Sequence, residues 1–358
     1  MASIAIYPQE QPHSVDFSLY SHGAQSQKQK VALELIRSIR ETGFCRLSAH
    51  SITKENIDRV FSHANTFFKL PVDIKSKVKH PEASNPHRGW TEVGRETLST
   101  VADYEKDAKL DKPIILDIKE SFDMGHTHDP LFQNMWLPEE DIPGFRADME
   151  RFYEECRLQH LELLEALELG CTSVLGFTPN FKALCGKSPS ECRMNHYPAT
   201  RSSVLQSGGN CNRISPHSDF GTLTLLFQDG VGGLEFEDQA CRGRFFPVTC
   251  DSRYEMLVNA GDVLQRWSND FFRSVNHFVT LPMAMKNGHG VGNGEDVVPE
   301  RTSVVFFGKA DWEADVGSLP GFEQPETKKY EHMTSLQYNQ IKLKATYDTA
   351  TPSIATVK

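Results

Sequence analysis

The chain has 358 residues, and its 48 Asp and Glu outnumber its 38 Lys and Arg, for a formal net charge of -10 at pH 7. An acidic chain is a poor ligand for nucleic acid and for anionic lipid, so we expect neither partner. No run of about 18 apolar residues and no basic-then-apolar leader occurs, so neither a membrane-spanning helix nor a secretory signal is predicted.

The eight cysteines are scattered along the chain, and no two of them form a C-x-x-C pair. In a chain of this length, that pattern indicates reduced thiols rather than a disulfide framework or a structural zinc site. The cysteine usage therefore favours a cytoplasmic protein.

Helical patterns dominate residues 1–180. Apolar residues at helical spacing predict a helix over 27–43, with Gly43 as its stop signal. A second helix is expected between an N-cap at Ser51 or Thr53 and a stop at Pro71. Between the helices, the run 44–50 is typical of a strand, and a first short strand is expected within "FSLYSHG" (17–23). A third and longest helix is predicted over 145–176.

Two ordered islands interrupt the irregular stretch between residues 80 and 144. They are "HRGWTEVGRE" (87–96) and "LDIKESFDMG" (116–125). We expect the second island to feed an edge strand.

The pattern changes in the second half of the chain. Short apolar runs separated by turn residues fill 192–310, which favours a sandwich or barrel. "NAGD" (259–262) is predicted to be the turn between two of these strands, and "NGHGVGNGED" (287–296) a mobile loop. A final helix is expected over 335–347. The pattern therefore predicts a mainly β fold with flanking helices.

A polar pair heads the apolar strand "TLTLLF". His217 and Asp219 are two positions apart, so in extended chain their side chains share a face. Burying an imidazole and a carboxylate there costs several kcal/mol unless something pairs with them. His277, in the strand-like run "SVNHFV", can complete a set of two histidines and one carboxylate. This set suits non-haem Fe(II), although zinc sites also use it.

A second polar cluster points to an anionic ligand. Arg301 and Ser303 share a face of the strand "RTSVVFF", and a buried arginine needs an anionic partner. A guanidinium can hold a carboxylate through two parallel hydrogen bonds, and a hydroxyl can add a third. Upstream, Arg193, Asn195 and Tyr197 also alternate onto one face. A metal with open positions beside a carboxylate clamp is what a 2-oxo acid requires.

These motifs, in this order, resemble the Fe(II)/2-oxoglutarate-dependent dioxygenase superfamily, in the branch that includes isopenicillin N synthase. The resemblance covers nearly the whole chain and is carried by the following stretches: "ETGFCRL", "TFFKLP", "RGWTEVGRE", "DIKESFDMG", "NHYP", "HSDFGTLTLLFQD", "GGLEF", "NAGDVLQRWSND", "SVNH" and "RTS". Within the superfamily, the sequence is most similar to fungal thymine 7-hydroxylase-like and natural-product tailoring oxygenases.

The resemblance implies one catalytic unit over 1–358 with a double-stranded β-helix (jelly-roll) core at 186–312. A helical N-terminal region with substrate-covering segments (1–180) and a C-terminal helix (325–350) would flank it. It implies Fe(II) held by His217, Asp219 and His277, with 2-oxoglutarate and O2 as co-substrates. It also implies 2-oxoglutarate contacts from Arg301, Ser303, Asn195 and Tyr197.

The expected activity is oxidation of a C–H bond of a small molecule, with release of succinate and CO2 and with hydroxylation, desaturation or cyclisation as the outcome. We expect a monomer. Candidate substrate contacts are Phe220, Phe307 and Arg193, with Trp90, Arg88 and Phe122 as a covering wall. The chain departs from the family at Phe278, where an arginine usually follows the distal histidine, and in the 287–296 loop.

Two alternatives remain open. An oxidase of the isopenicillin N synthase type would use the same triad without 2-oxoglutarate, with the substrate's own carboxylate at Arg301. A protein of another class would only bind a small carboxylate on the same fold, without catalysis.

Overall fold

The computed structural model describes residues 11–81, 87–96, 98, 115–187, 189–205, 211–286, 296–322 and 330–347. Its helices are α1 (Ser18–Ser21), α2 (Gln25–Thr42), α3 (Lys54–Lys69), α4 (Val72–Lys75), α5 (Phe145–Leu175), α6 (Asp262–Trp267), α7 (Met283–Lys286) and α8 (Ser335–Tyr347).

The strands of the N-terminal half are β1 (Ser14–Asp16), β2 (Phe44–Ser48), β3 (Gly89–Thr91), β4 (Leu116–Asp117) and β5 (Glu120–Gly125). Those of the C-terminal half are β6 (Glu191–Tyr197), β7 (Thr200–Arg201), β8 (Cys211–Asn212), β9 (Ile214–His217), β10 (Leu223–Gln228), β11 (Leu234–Glu237), β12 (Phe245–Pro247), β13 (Met256–Ala260), β14 (His277–Val279), β15 (Val297–Val298) and β16 (Arg301–Phe307).

Two sheets form the core. The larger sheet has the strand order β1-β2-β13-β10-β16-β6-β5-β3, and the smaller sheet has the order β12-β11-β14-β9. Four strands of the larger sheet (β1, β2, β3 and β5) come from the N-terminal half. Side chains of both sheets line a common cavity. This is the expected mainly β, jelly-roll architecture with flanking helices, and the fold-class prediction is confirmed.

Strict alternation separates the two faces of the larger sheet. In β10, Leu223, Leu225 and Phe227 pack against the helices, whereas Thr224 and Leu226 line the cavity. Successive side chains of a strand point to opposite faces, so each strand supplies both core and site residues. The same period holds in β6 and β16, where Arg193, Asn195, Arg301 and Ser303 face the cavity.

The helices α2, α3 and α5 cover the outer face of the larger sheet, and their apolar residues join those of the strands in one cluster. Close approach of α2 and α5 depends on Gly170. A Cβ there would lie 2.4 Å from Ile36 Cδ1 and 2.9 Å from the backbone oxygen of Ala32. The glycine therefore allows the two helices to pack with little space between them. Among the described helices, none is long and apolar enough to cross a membrane.

The predicted helices are confirmed with small shifts of their ends. Thr53 is the N-cap of α3, because its side chain accepts a hydrogen bond from the backbone N–H of Asn56. Gly43 follows α2 in the left-handed conformation, with φ of 80°. The long helix and the C-terminal helix begin at the predicted residues, Phe145 and Ser335.

Two local predictions were wrong, and a third holds only in part. "NAGD" does not join two strands, because helix α6 begins at Asp262, directly after β13. "FSLYSHG" contains the short helix α1, and the first strand precedes it at Ser14–Asp16. The prediction for segment 116–125 holds only in part: β4 pairs with β8 alone and is the edge of a two-stranded sheet, whereas β5 lies between β6 and β3. Most of the predicted loop at 287–296 lies outside the described residues.

We predict that Gly170→Val destabilises the protein by about 1–3 kcal/mol, because a branched side chain must force α2 and α5 apart. Chemical denaturation would measure the loss. Gly230→Ala is a matched control, since an added Cβ at that position meets nothing within 4 Å. Equal stability of the two variants would contradict the tight packing of these helices.

Candidate active site

The strand pairing brings three potential metal ligands together. His217 ends β9, His277 begins β14, and the two residues are direct partners in the antiparallel β9–β14 pair. Asp219 lies in the turn after β9, and its Oδ1 is 3.9 Å from His217 Nε2 and 3.8 Å from His277 Nε2. The three ligand atoms lie within 4.8 Å of one another. This spacing leaves room for one cation among them.

Hydrogen bonds to the outer atoms orient these ligands. His217 Nδ1 donates to the carbonyl oxygen of Ser215 at 2.8 Å, and His277 Nδ1 donates to that of Val275 at 3.2 Å. Both Nε2 atoms therefore face the shared centre with free lone pairs. Such outer partners of a metal-binding histidine set its tautomer and its ring orientation.

The carboxylate is oriented in the same way by a cross-strand pair. Thr224 Oγ1 and Asn259 Nδ2 each donate to Asp219 Oδ2 at 2.7 Å. Thr224 and Asn259 are register partners in β10 and β13. Because these donors occupy Oδ2, Oδ1 remains available to a metal.

The electrostatics favour the protonation states that metal binding requires. Burial, and then the proximity of His277, lowers the pKa of His217 to about 4. Burial raises the pKa of Asp219, but the two histidines and the two donors outweigh it and hold that pKa below its usual value. At neutral pH His217 is therefore a neutral imidazole and Asp219 an ionised carboxylate, which are the metal-binding forms.

Arg301 is a buried cation with unused donors. It is 1% exposed, its Nη2 donates to Gln228 Oε1 at 2.7 Å, and its guanidinium lies 4.8 Å from the ring centre of Tyr197. Its Nε and Nη1 have no hydrogen-bond partner. A buried guanidinium is stable only with an anion beside it, so this position fits the carboxylate of a ligand.

Ser303 and Asn195 lie next to this arginine. They are register partners in β16 and β6, and Asn195 Nδ2 donates to Ser303 Oγ at 3.5 Å. The buried Asn195 Oδ1 has no partner. All four predicted co-substrate residues line the cavity that also contains the His-Asp-His cluster. The structure thus brings the predicted metal and co-substrate residues together.

Of the predicted substrate contacts, Phe220, Phe307 and Arg193 line the cavity. Arg193 belongs to a charged wall. Its Nη1 and Nη2 donate to the carboxylate of Glu96 at 3.1 and 3.0 Å, and its Nε donates to Asp123 at 2.6 Å.

A second ion pair, between Lys309 and Glu191 at 2.7 Å, extends this wall. Burial raises the pKa of Glu191, but the cations Lys309 and Arg88 and a further contact from His87 lower it to about 2. The wall is therefore charged with both signs at neutral pH. The rings of Phe220 and Phe307 also line the cavity, and the guanidinium of Arg193 lies 5.9 Å from the centre of the Phe307 ring.

The proposed covering wall does not reach the cavity. Phe122 is register partner of Met194, so it faces the helices and packs against Phe67 and Phe145. Trp90 is partner of Phe122 and shares that face, where its Nε1 donates to Glu120.

Arg88 is also absent from the lining. It forms ion pairs with Asp129 and Glu191, each at 3.1 Å. It therefore supports the charged wall from behind, and we do not retain Arg88, Trp90 or Phe122 as substrate contacts.

Several cavity residues were missed by the sequence analysis. Leu343 and Thr346 reach the cavity from α8, and no local pattern connects a C-terminal helix with a strand-borne site. Asn259, which also lines the cavity, had a signal that was overlooked, since it is the one polar residue of strand β13. A buried polar residue in such a strand usually has a specific partner.

We predict that Thr224→Val weakens binding of Mn(II) or Fe(II) by about tenfold, because an outer partner of a metal ligand typically contributes 10- to 100-fold in affinity. Anaerobic calorimetric titration would measure this. Thr66→Val, the same change on exposed α3, should bind the metal like the parent chain. An unchanged affinity in Thr224→Val would contradict the assigned orientation of Asp219.

Comparison with known proteins agrees with this geometry. The family model described as the 2OG-Fe(II) oxygenase superfamily matches residues 189–309. The model described as the N-terminal region of non-haem dioxygenase in morphine synthesis matches residues 13–141.

Curated relatives cover nearly the whole chain. The 2-oxoglutarate-dependent dioxygenase frbA of Dothideomycetidae sp. is 43% identical over 94% of this chain and 98% of its own length. The proline hydroxylase buaE of Petromyces alliaceus is 41% identical, over 93% of this chain and 98% of its own.

Among solved structures, thymine 7-hydroxylase of Neurospora crassa in complex with alpha-ketoglutarate and thymine has a TM-score of 0.78 at 30% identity. The match covers 93% of this chain and 96% of that one. This chain is therefore a member of the 2OG-Fe(II) oxygenase superfamily, an enzyme that uses Fe(II) with 2-oxoglutarate and O2.

Proposed function

We propose that this enzyme hydroxylates a C–H bond of a small, charged molecule in a fungal-type secondary-metabolic pathway, with release of succinate and CO2. One observation carries the proposal. A single cavity contains the His-Asp-His cluster and a buried Arg301 with two unpartnered donors. The cluster suits a metal, and the arginine suits the far carboxylate of a 2-oxo acid.

The residues divide into two groups by role. His217, Asp219 and His277 would hold the iron, and Arg301 with Ser303 would bind the distal carboxylate of 2-oxoglutarate. Asn195 and Tyr197 support that carboxylate site from the neighbouring strand β6. When bound, iron with 2-oxoglutarate supplies the oxidising power to break a C–H bond.

The chain's own contribution is positioning and exclusion of water. Apolar residues of β10 and β16, among them Leu226 and Val305, line the cavity. They limit access of water to the reacting atoms. Phe220 and Phe307 would flank the substrate with their rings. Arg193 and Glu96 would meet its charged groups. Together these contacts select which C–H bond faces the iron.

The charged wall favours an amino acid as the substrate. It presents a guanidinium and a carboxylate together, which matches the carboxylate and the ammonium of a zwitterion. The relative buaE, which is named a proline hydroxylase, supports the same class. A flat pyrimidine between Phe220 and Phe307 is the second candidate, supported by the neighbour that was solved with thymine.

We also propose that the enzyme works as a cytoplasmic monomer. All eight cysteines are free, and five of them are buried. This state fits a reducing compartment, because buried thiols there stay reduced.

We predict that His217→Ala abolishes succinate formation in the presence of substrate, because two remaining ligands hold iron poorly. Exposed His22→Ala is the control and should keep the parent rate. Succinate and O2 uptake would be measured with and without 2-oxoglutarate. Substrate oxidation that proceeds without 2-oxoglutarate would instead identify an oxidase of the isopenicillin N synthase type.

A substrate panel tests the proposed class. We expect L-proline and related amino acids to stimulate succinate formation, and their N-acyl or ester derivatives to fail, because each derivative removes one charge. Thymine is the comparison compound. If thymine alone stimulates succinate formation, the substrate is a pyrimidine and not an amino acid.

Phe307→Ala should raise the KM for the true substrate by about tenfold, since a ring contact contributes roughly 0.5–1.5 kcal/mol beyond its buried area. Phe132→Ala, which removes a ring packed on Trp312 outside the cavity lining, is the matched control. Unchanged KM and kcat in Phe307→Ala would remove this residue from the substrate site.

A further inference from the structure

A second buried arginine lies beside the carboxylate clamp and has no assigned role. Arg213, between β8 and β9, is 0% exposed. Its Nη2 donates to the backbone oxygen of Pro299, two residues before Arg301. Its Nε and Nη1 are buried and have no hydrogen-bond partner.

Neither Arg213 nor Arg301 has an ion-pair partner among the described residues. Asp229 is the acid that acts on Arg213, but its two carboxylate oxygens accept hydrogen bonds from the backbone N–H groups of Val231 and Thr302. Burial, and then the charge of Arg301, lowers the pKa of Arg213 to about 10. Arg213 is therefore protonated at neutral pH.

Such an arrangement opposes folding. Removing a buried, unpaired cation from a protein interior is often neutral or stabilising, and two adjacent cations repel each other. The free-energy cost of burying this unpaired cation is offset when an anion binds beside it. The anion that reaches Arg301 would interact favourably with both charges at once, because the interior screens them weakly.

We propose that Arg213 is a positioning residue for the co-substrate, and that with Arg301 it forms a two-guanidinium site that selects a 2-oxo acid carrying a second, distal carboxylate. The inference rests on the proposed function of Arg301. Arg213 is not part of the cavity lining. It acts through its charge and through its hydrogen bond to Pro299, which fixes the start of β16.

The test compares two metal-chelating anions. 2-Oxoglutarate has a distal carboxylate, whereas oxalate chelates a metal but lacks that group. Their affinities would be measured by anaerobic calorimetry on the Mn(II)-loaded enzyme, so that no turnover is needed. The variants are Arg213→Gln, Arg213→Met and Arg213→Lys, with Arg242→Gln as an exposed control that removes the same charge.

We expect Arg213→Gln and Arg213→Met to bind 2-oxoglutarate about tenfold more weakly, and to bind oxalate within about twofold of the parent chain. Arg213→Lys should restore most of the preference because it keeps the charge. Arg242→Gln should change neither affinity. Without ligand, Arg213→Met should melt at or above the parent Tm, since a buried cation has been removed.

Three results would overturn the inference: unchanged 2-oxoglutarate affinity in both neutral variants, equal losses for both anions, or failure of both neutral variants to fold, which would make Arg213 a structural residue. Arg301→Gln separates this inference from the function beneath it. If Arg301→Gln leaves 2-oxoglutarate binding intact, the proposed clamp is wrong. If only Arg213→Gln leaves 2-oxoglutarate binding intact, Arg301 binds the distal carboxylate as proposed and Arg213 has no part in that site.

Discussion

The buried carboxylate of Asp219, which faces two imidazoles, is the constraint that governs the arrangement of the surrounding strands. One oxygen of Asp219 is saturated by Thr224 and Asn259, and the other is directed at His217 and His277. A charge in this position is unstable alone, and a divalent cation resolves it. The registers of the β9–β14 and β10–β13 pairs produce this geometry.

The two walls of the cavity differ in how their buried charges are compensated. On one wall, Arg193 pairs with Glu96 and Lys309 pairs with Glu191, so that wall is stable before any ligand arrives. On the other, the buried Arg301 has no ion-pair partner among the described residues, and two of its nitrogens have no hydrogen-bond partner. Paired charges define a shape for recognition, whereas an unpaired charge creates affinity for a ligand that supplies the missing sign.

The period of two in the strands connects the fold with the chemistry. Along β6 and β16, every second residue packs on the helices, and the residues between them face the cavity. One strand therefore contributes to stability and to the site without conflict. The same rule explains why the expected covering wall does not reach the cavity. Phe122 and Trp90 alternate with the cavity-facing positions and so face the helices. Ser121 and Asp123 are instead the register partners of the cavity-facing Asn195 and Arg193.

The sequence by itself determined the long helices, the β core, the HxD pair with its distal histidine, and the Arg-x-Ser strand, because each depends on local spacing or on a short motif. Only the tertiary structure decided which strands are neighbours. Pairing of β10 with β13 brought Asn259 to Asp219. The hydrogen bond from Arg213 to Pro299 placed Arg213 near Arg301, and helix α8 brought Leu343 and Thr346 to the cavity. These contacts join residues that are far apart in the chain, so no local pattern contains them. The turn at "NAGD" was misread for the same reason, because the backbone N–H groups at the start of α6 hydrogen-bond to the carbonyl oxygens of Asp219 and Gly221, which are distant in sequence.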